Sequence, residues 1–322
     1  MPRNVSGAAM PNVPAPSSSG SSPTARRPID PTVSGVFYAL GAFLMWGVLP
    51  LLFRALQPAT PLEILSHRVV WSLLLMIAVV LVMRNPHAVP RAVSSRRQLG
   101  IYLVTTGLIT TNWLIFIWAV NSGHIVQTSL GYYINPVVNV ILGVLFLGER
   151  LNRNQWISIS LAILGVTSLV VNLGTLPWVS LTLAVTFGFY ALIRKKEGID
   201  PLIGLLIETA LLTPFALSYL LWIGAVGTGL FTLAAPGMAT LLVVAGVVTA
   251  IPLIFFNFGA QRLKLSTIGL MQYLSPTLQL GIGVLVFGEA FTGVHALAFG
   301  LIWTALAIYS ADAYRLHRAA ST

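Results

Sequence analysis

The chain has no cysteine, which excludes a disulfide framework, a thiolate metal site and a thiol nucleophile. Charge is nearly as scarce. With 18 basic and 8 acidic residues in 322, 8% of the chain is charged, against roughly 25% in an ordinary soluble domain. A soluble fold of this length covers its core with such residues, so here, at 56% hydrophobic content, lipid has to provide the cover. Acids are outnumbered by bases, but the excess does not read as a nucleic-acid footprint. The bases stand in short clusters between apolar runs, with no basic stripe interleaved with aromatics. Residues 1–31, rich in Pro, Ser, Ala and Gly, contain no apolar run long enough for a signal-peptide core and read as a disordered tail.

What the chain does have is a series of apolar runs of about 20 residues, the length a helix needs to cross the hydrocarbon core. Ten are expected, near 33–53, 63–83, 99–120, 124–147, 154–172, 177–194, 200–224, 238–258, 266–287 and 293–312, the sixth being the shortest. Alternating the connections between two sides puts sixteen of the eighteen bases together: Arg3, Arg26, Arg27, Arg84, Arg91, Arg96, Arg97, Arg150, Arg153, Arg194, Lys195, Lys196, Arg262, Lys264, Arg315 and Arg318. Only Arg54 and Arg68 fall on the other side. Positive charge stays inside, so the expected topology is an inner-membrane protein with both termini cytoplasmic.

A shift of 140 residues lays LGYYINPVVNVILGVLFLGE (130–149) over LMQYLSPTLQLGIGVLVFGE (270–289) with eight identities in twenty positions, among them Tyr133/Tyr273, Pro136/Pro276, Gly148/Gly288 and Glu149/Glu289. Composition alone gives ~10%, and apolar bias does not supply Pro, Tyr and Glu. The expected fold is therefore all-α and polytopic, ten transmembrane helices as two five-helix repeats over 32–173 and 174–313, followed by a short tail over 314–322. Five is odd, so the repeats insert inverted. Inverted repeats can rock between mirror-related states and expose one central site to either side in turn. A channel needs no such duplication. A membrane enzyme needs clustered acids or a metal set, and the sequence shows no HExxH, repeated Asp motif or Cys/His cluster.

The segments MWGVLPLLFRAL (45–56), EILSHRVVWS (63–72), TNWLIFIWAVNSGHI (111–125), SLGYYINPVVNVILGVLFLGERL (129–151), LLIETALLTP (205–214) and QYLSPT (272–277) together resemble the RarD-like branch of the EamA transporters, within the drug/metabolite transporter superfamily. The resemblance extends over about 33–312. It implies ten helices from a five-plus-five duplication and transport of small metabolites or drugs, often outward, with no cofactor and no nucleic-acid partner.

Polar residues at membrane depth are costly and ask for a reason. Gln127, Gly131, Asn135 and Asn139 recur every four residues on the fourth helix, and Thr267, Met271, Ser275 and Gln279 repeat the arrangement on the ninth. Two readings stand side by side: hydrogen bonding between helices, or a cavity wall. Pro136 and Pro276 at equivalent depth favour the wall, because paired Pro-interrupted helices mark transporter sites. Trp46, Asn112, Trp113, Tyr132, Tyr133, Asn135, Asn139, Asn257, Gln272, Tyr273, Ser275 and Gln279 are the expected substrate-contacting residues. Trp118, Trp156, Trp178 and Trp222 read as an interfacial belt. Glu208 is the expected proton-coupling or cation-binding group, with Arg68 and His67 as partners, since Arg68 falls over Glu208 under the same shift. Glu149 and Glu289 are expected to offer carboxylates to the amides of the helix that follows each of them.

Overall fold

A computed structural model describes residues 31–83, 87–148, 151–263 and 271–319. The N-terminal tail, Arg84, Glu149, Arg150, Lys264 and Thr267 lie outside these described residues. Within them all regular structure is helical: α1 (Pro31–Ala55), α2 (Pro61–Val82), α3 (Ala88–Ala92), α4 (Arg96–Asn121), α5 (Ile125–Leu147), α6 (Arg153–Leu173), α7 (Trp178–Glu197), α8 (Pro201–Val226), α9 (Pro236–Ala260), α10 (Leu274–Gly281) with a π-helical extension (Ile282–Val286), and α11 (Gly293–Ala319).

Local chemistry sets the ends. Thr60 accepts the Glu63 amide at 3.2 Å with Pro61 as first helical residue of α2, and Asp200 accepts the Leu202 and Ile203 amides, both at 2.9 Å, with Pro201 first in α8. Each side-chain oxygen satisfies a donor that the first turn leaves open, and proline there loses no bond. Asn152 and Gln155 form a capping box on α6. Gly148, Gly174, Gly198 and Gly227 close α5, α6, α7 and α8 in the left-handed conformation, where a Cβ is penalised.

Seven of the described helices are long and apolar enough to cross a membrane: α1, α2, α4, α6, α8, α9 and α11. An eighth, α5, qualifies if its two segments, bent by 41° between Asn135 and Val137, count as one span. Pro136, which falls between these two segments, lacks the backbone N–H that would continue the helical ladder. Of the remaining helices, α7 occupies the expected sixth run but is not among those long and apolar enough, and two others depart from the expected runs. The ninth is not one continuous helix among the described residues: α10 begins at Leu274 with Pro276 in its first turn, where proline is tolerated. A short α3 lies in what the sequence suggests is a plain loop. Val82, Phe215, Leu221 and Leu285 remain 72–85% exposed, an arrangement suited to an apolar solvent.

Helices meet through small residues and hydroxyls. A Cβ on Gly246 would overlap Trp71, and there Ser72 Oγ donates to the Gly246 carbonyl at 3.0 Å, locking α2 to α9. Ser180 donates to the Gln127 carbonyl (2.7 Å), Ser129 to Pro276 (2.8 Å) and Ser275 to Phe43 (2.7 Å). Such bonds between a hydroxyl and a carbonyl of another helix hold helices together where no hydrophobic force can. The main packing pairs are α6 with α11, α5 with α7, α1 with α9, α2 with α8 and α9, and α4 with α7. Consecutive helices α1 and α2, like α7 and α8, pack chiefly on other partners. At one end of the bundle Arg97 pairs with Glu197 and Asp312 accepts from Asn152 and Asn154. At another, Arg54 donates to the Asn121 carbonyl and Glu63 accepts the Leu230 amide. Glu289 grips the Ile125 and Val126 amides at 2.7 and 2.8 Å. This corrects the expectation for Glu289, which caps α5 from far along the chain rather than the helix after it. The α5 amides are unpaired first-turn donors carrying the positive end of the helix dipole, and they draw the carboxylate.

Candidate functional site

Between α1, α2, α4, α5, α7, α8, α9 and α10 lies a cavity of about 390 Å³, within the size range of small-molecule sites. Its wall is mostly aromatic and aliphatic, including Phe43, Trp46, Trp113, Phe116, Tyr132, Phe187 and Phe256. The polar groups are Asn112, Asn135, Asn139, Tyr190, Thr249, Gln272, Ser275 and Gln279, and the charged ones are Arg68 and Arg194. No carboxylate is among the lining residues.

The structure places Trp46, Arg68, Asn112, Trp113, Tyr132, Asn135, Asn139, Gln272, Ser275 and Gln279 on this wall. Tyr133, Tyr273, Asn257, His67 and Glu208 are not on it. Helix geometry explains the split. Tyr132, Asn135 and Asn139 share a face, and Tyr133 is rotated about 100° from Tyr132. Tyr133 hydrogen-bonds Thr277 at 2.5 Å and stacks on Tyr273 with ring centroids 6.2 Å apart, beside Phe299 and Trp303 of α11. Asn257 likewise follows Phe256 by one residue and leaves the wall. His67 sits beside Arg68 but turns away: it accepts from Trp71 at 3.3 Å and lies against Phe231, ring centroids 4.8 Å apart.

The four-residue stripe on α5 divides between its two readings. Gly131 packs on α7, where an added Cβ would stand 2.9 Å from the Ser180 carbonyl oxygen. Gln127 lies beside Leu169 and His295, away from the main cavity. Asn135 and Asn139 belong to the wall. Several wall residues serve both purposes. Asn112 donates to the Leu183 carbonyl at 2.9 Å and to Thr186 at 3.0 Å, and Gln279 donates to the Trp46 carbonyl at 3.3 Å. The amide oxygens of Asn135 and Gln279 are buried with no donor among the described residues.

The two wall arginines are held differently. Arg68, 5% exposed, donates Nε–H to Thr249 Oγ1 at 2.5 Å and lies over the Trp113 ring, 4.2 Å from its centroid. Arg194 reaches Glu208 at 3.4 Å and the Tyr190 hydroxyl, which itself donates to Glu208 at 3.0 Å. Arg194 also donates to the Asp200 carbonyl at 2.9 Å. Glu208, fully buried, is therefore paired with Arg194 rather than with Arg68 or His67, a correction to the expected partnership. The sequence does carry a signal for it. Tyr190 and Glu208 stand nine residues to either side of Ile199 in the α7–α8 turn, so a reversal of the chain there puts them at similar depth. Arg194, one turn along from Tyr190, can then reach the same carboxylate. Gly204 clears the path, because a Cβ there would overlap the Arg194 guanidinium.

With this geometry in view, residues 33–171 match the model of the EamA-like transporter family. The chain is 46% identical over 89% of its length to an uncharacterized transporter of Vibrio cholerae, covering 95% of that protein. It is 44% identical to Protein RarD of Streptomyces exfoliatus, covering 88% of this chain and 90% of that one. Identity to Protein RarD of Escherichia coli is 40%, over 90% and 98% of the two chains. A solved crystal structure, 19% identical, superposes with a TM-score of 0.56 over 88% of this chain and 99% of its own, and so shares the fold.

Proposed function

Because the chain belongs to the RarD-like branch of the EamA-like transporter family and is a multi-pass membrane transporter, we propose that it exports small organic molecules by alternating access through the cavity walled by Trp46, Trp113, Tyr132 and Gln279. In this reading α3 lies outside the membrane, α10 belongs to the ninth of ten spans, and both termini face the cytoplasm of a cell whose inner membrane holds the protein.

The observation that carries the reading is the correspondence of the two halves under the 140-residue shift. It takes the first residue of α2 to that of α8 (Pro61 to Pro201), of α4 to α9 (Arg96 to Pro236) and of α6 to α11 (Arg153 to Gly293). Gly148 and Gly288 both have φ of 67°. The packing follows suit: α1 on α9 reappears as α7 on α4, and α5 on α7 as α10 on α1, while α2–α8, α5–α10 and α6–α11 are contacts between equivalents. Such exchange is what a two-fold axis in the membrane plane produces, and ligand sites lie on such axes. The paired ends also support alternation of the connections: Arg97–Glu197 and Asp312–Asn152 join connections on the basic side, Arg54–Asn121 and Glu63–Leu230 on the other.

In this account the α1–α9 pair rocks against the α4–α7 pair. Arg194 and Tyr190 on α7 bridge to Glu208 on α8, which packs on α2 instead. Rocking lengthens that bridge, and a proton takes the guanidinium's place at the carboxyl; Tyr102 and Asp200 share the same electrostatic neighbourhood. Purified protein in proteoliposomes gives the test. A carrier shows saturable flux stimulated by substrate on the opposite side, a channel shows flux without counter-flow, and a receptor shows none. Glu208→Gln is expected to lower accumulation driven by a pH gradient by at least about tenfold while exchange of substrate for substrate continues; normal accumulation by that variant removes Glu208 from coupling.

A further inference from the structure

Among the described residues, one cation of the cavity wall has no carboxylate partner. Six of the chain's eight carboxylates lie among the described residues, and each is engaged away from Arg68. Glu63 accepts the Leu230 amide, Glu197 pairs with Arg97, Asp200 caps α8, Glu208 holds Arg194, Glu289 caps α5 and Asp312 accepts from two asparagines. Among these residues no carboxylate comes within 4.0 Å of the Arg68 guanidinium, and its one hydrogen bond to a protein acceptor uses Nε–H. The charge of the second wall arginine, Arg194, is matched by Glu208. The side-chain charge facing the cavity is therefore that of Arg68.

A guanidinium at this depth is expensive to keep without an anion. The Trp113 face at 4.2 Å and Thr249 offset part of the cost, since an aromatic quadrupole attracts a cation. They leave the outer fork of the guanidinium, the part shaped for two parallel bonds to a carboxylate, without an acceptor among the described residues, on a side chain that lines the cavity. Aromatic side chains, Trp46, Tyr132 and Phe256 among them, form the rest of the wall. The buried amide oxygens of Asn135 and Gln279 lack donors and are suited to a ligand N–H or O–H.

Resting on the transporter reading above, we propose that the substrates are amphipathic organic anions, each with an aromatic or otherwise apolar body in the aromatic part of the cavity and a carboxylate on Arg68. The bound anion supplies the counter-charge that the protein withholds, so the loaded cavity is electrically balanced and the empty one is not. A cation of the same shape meets Arg68 as a like charge, and a neutral molecule gains only the apolar contacts.

The test uses three probes with one body and different heads: 1-naphthylacetate, 1-naphthylacetamide and 2-(1-naphthyl)ethylamine, titrated calorimetrically into the purified full-length protein near neutral pH. The acid is expected to bind about tenfold or more tighter than the amide, the worth of one charge-assisted pair, and the amine more weakly than either. In Arg68→Gln the acid-to-amide ratio falls toward one, and in Arg68→Lys it is partly restored. The comparison of heads on the native protein stands even if a variant fails to fold. Equal binding of acid and amide, preference for the amine, or no binding of the acid overturns the proposal. Proteoliposome flux separates the two readings: tight, Arg68-dependent binding of the acid without flux contradicts transport and leaves the anion site standing, whereas saturable counter-flow of the amine in preference to the acid does the reverse.

Discussion

Arg68 and Arg194 stand on one cavity wall and face the same problem, a guanidinium away from bulk water, and they meet it in opposite ways. Arg194 has a carboxylate, a phenol and a backbone carbonyl within its reach. Arg68 has a hydroxyl and a tryptophan face. Under the shift that superposes the halves, Arg68 falls on Glu208, so equivalent places in the two repeats carry opposite charges. The place in the second half has a charged partner from α7, and the place in the first half has none among the described residues. In the proposed two-repeat reading, the cavity has one locally neutralised pole and one open pole. On that reading a symmetric pair of repeats encloses an electrically asymmetric site, which suits a carrier that must hold a charged solute at one position and adjust its own charge at another.

The sharpest way to break the contrast is to remove one arginine at a time. Arg194→Met leaves Glu208 buried without its cation, and loss of one partner of a buried pair costs about 3–5 kcal/mol. Arg68→Met strands no carboxylate among the described residues and should cost much less. Thermal unfolding of the two purified variants compares them directly, and adding Glu208→Met to Arg194→Met should recover most of the loss. Equal destabilisation by the two single variants would erase the distinction between the paired and open arginines. A smaller effect is expected at Gly204, where an alanine Cβ overlaps the Arg194 guanidinium. Gly204→Ala should cost about 1–3 kcal/mol through that crowding and should weaken gradient-driven accumulation as Glu208→Gln does, with the binding of a neutral probe little altered. Retention of full accumulation would mean that Arg194 does not need the position it occupies.

Much of this architecture is legible in the sequence because solvent dictates it. Long apolar runs, clustered bases and the repeat around Pro136 and Pro276 fix helices, breaks and the residues that meet at the centre. Ten of the residues singled out for a substrate or coupling role stand on the wall. The others lie off the wall for identifiable reasons. Tyr133 and Tyr273 are expected on the wall with Tyr132 and Gln272 from the matched Pro-containing segments, but neighbouring residues on a helix point about 100° apart. Arg194 reads as a topogenic base beside Lys195 and Lys196, and its second role appears only when the α7–α8 turn sets it near Glu208. Glu289 illustrates a further limit: the amides it caps lie 164 residues away along the chain, a distance over which periodicity carries no information.

The most direct test of the central claim, a substrate path running between the two repeats, uses the absence of native cysteine. Asn135→Cys places a thiol on the cavity wall, and Tyr133→Cys places one a single residue away among Tyr273, Phe299 and Trp303. In oriented vesicles treated with a small impermeant thiol reagent from either side, the account predicts that Cys at position 135 is labelled from each side in turn, is protected by a transported anion, and that Cys at position 133 stays unlabelled. A position 135 thiol that remains unreactive from both sides during active flux would contradict the account and leave Asn135 as a contact between helices.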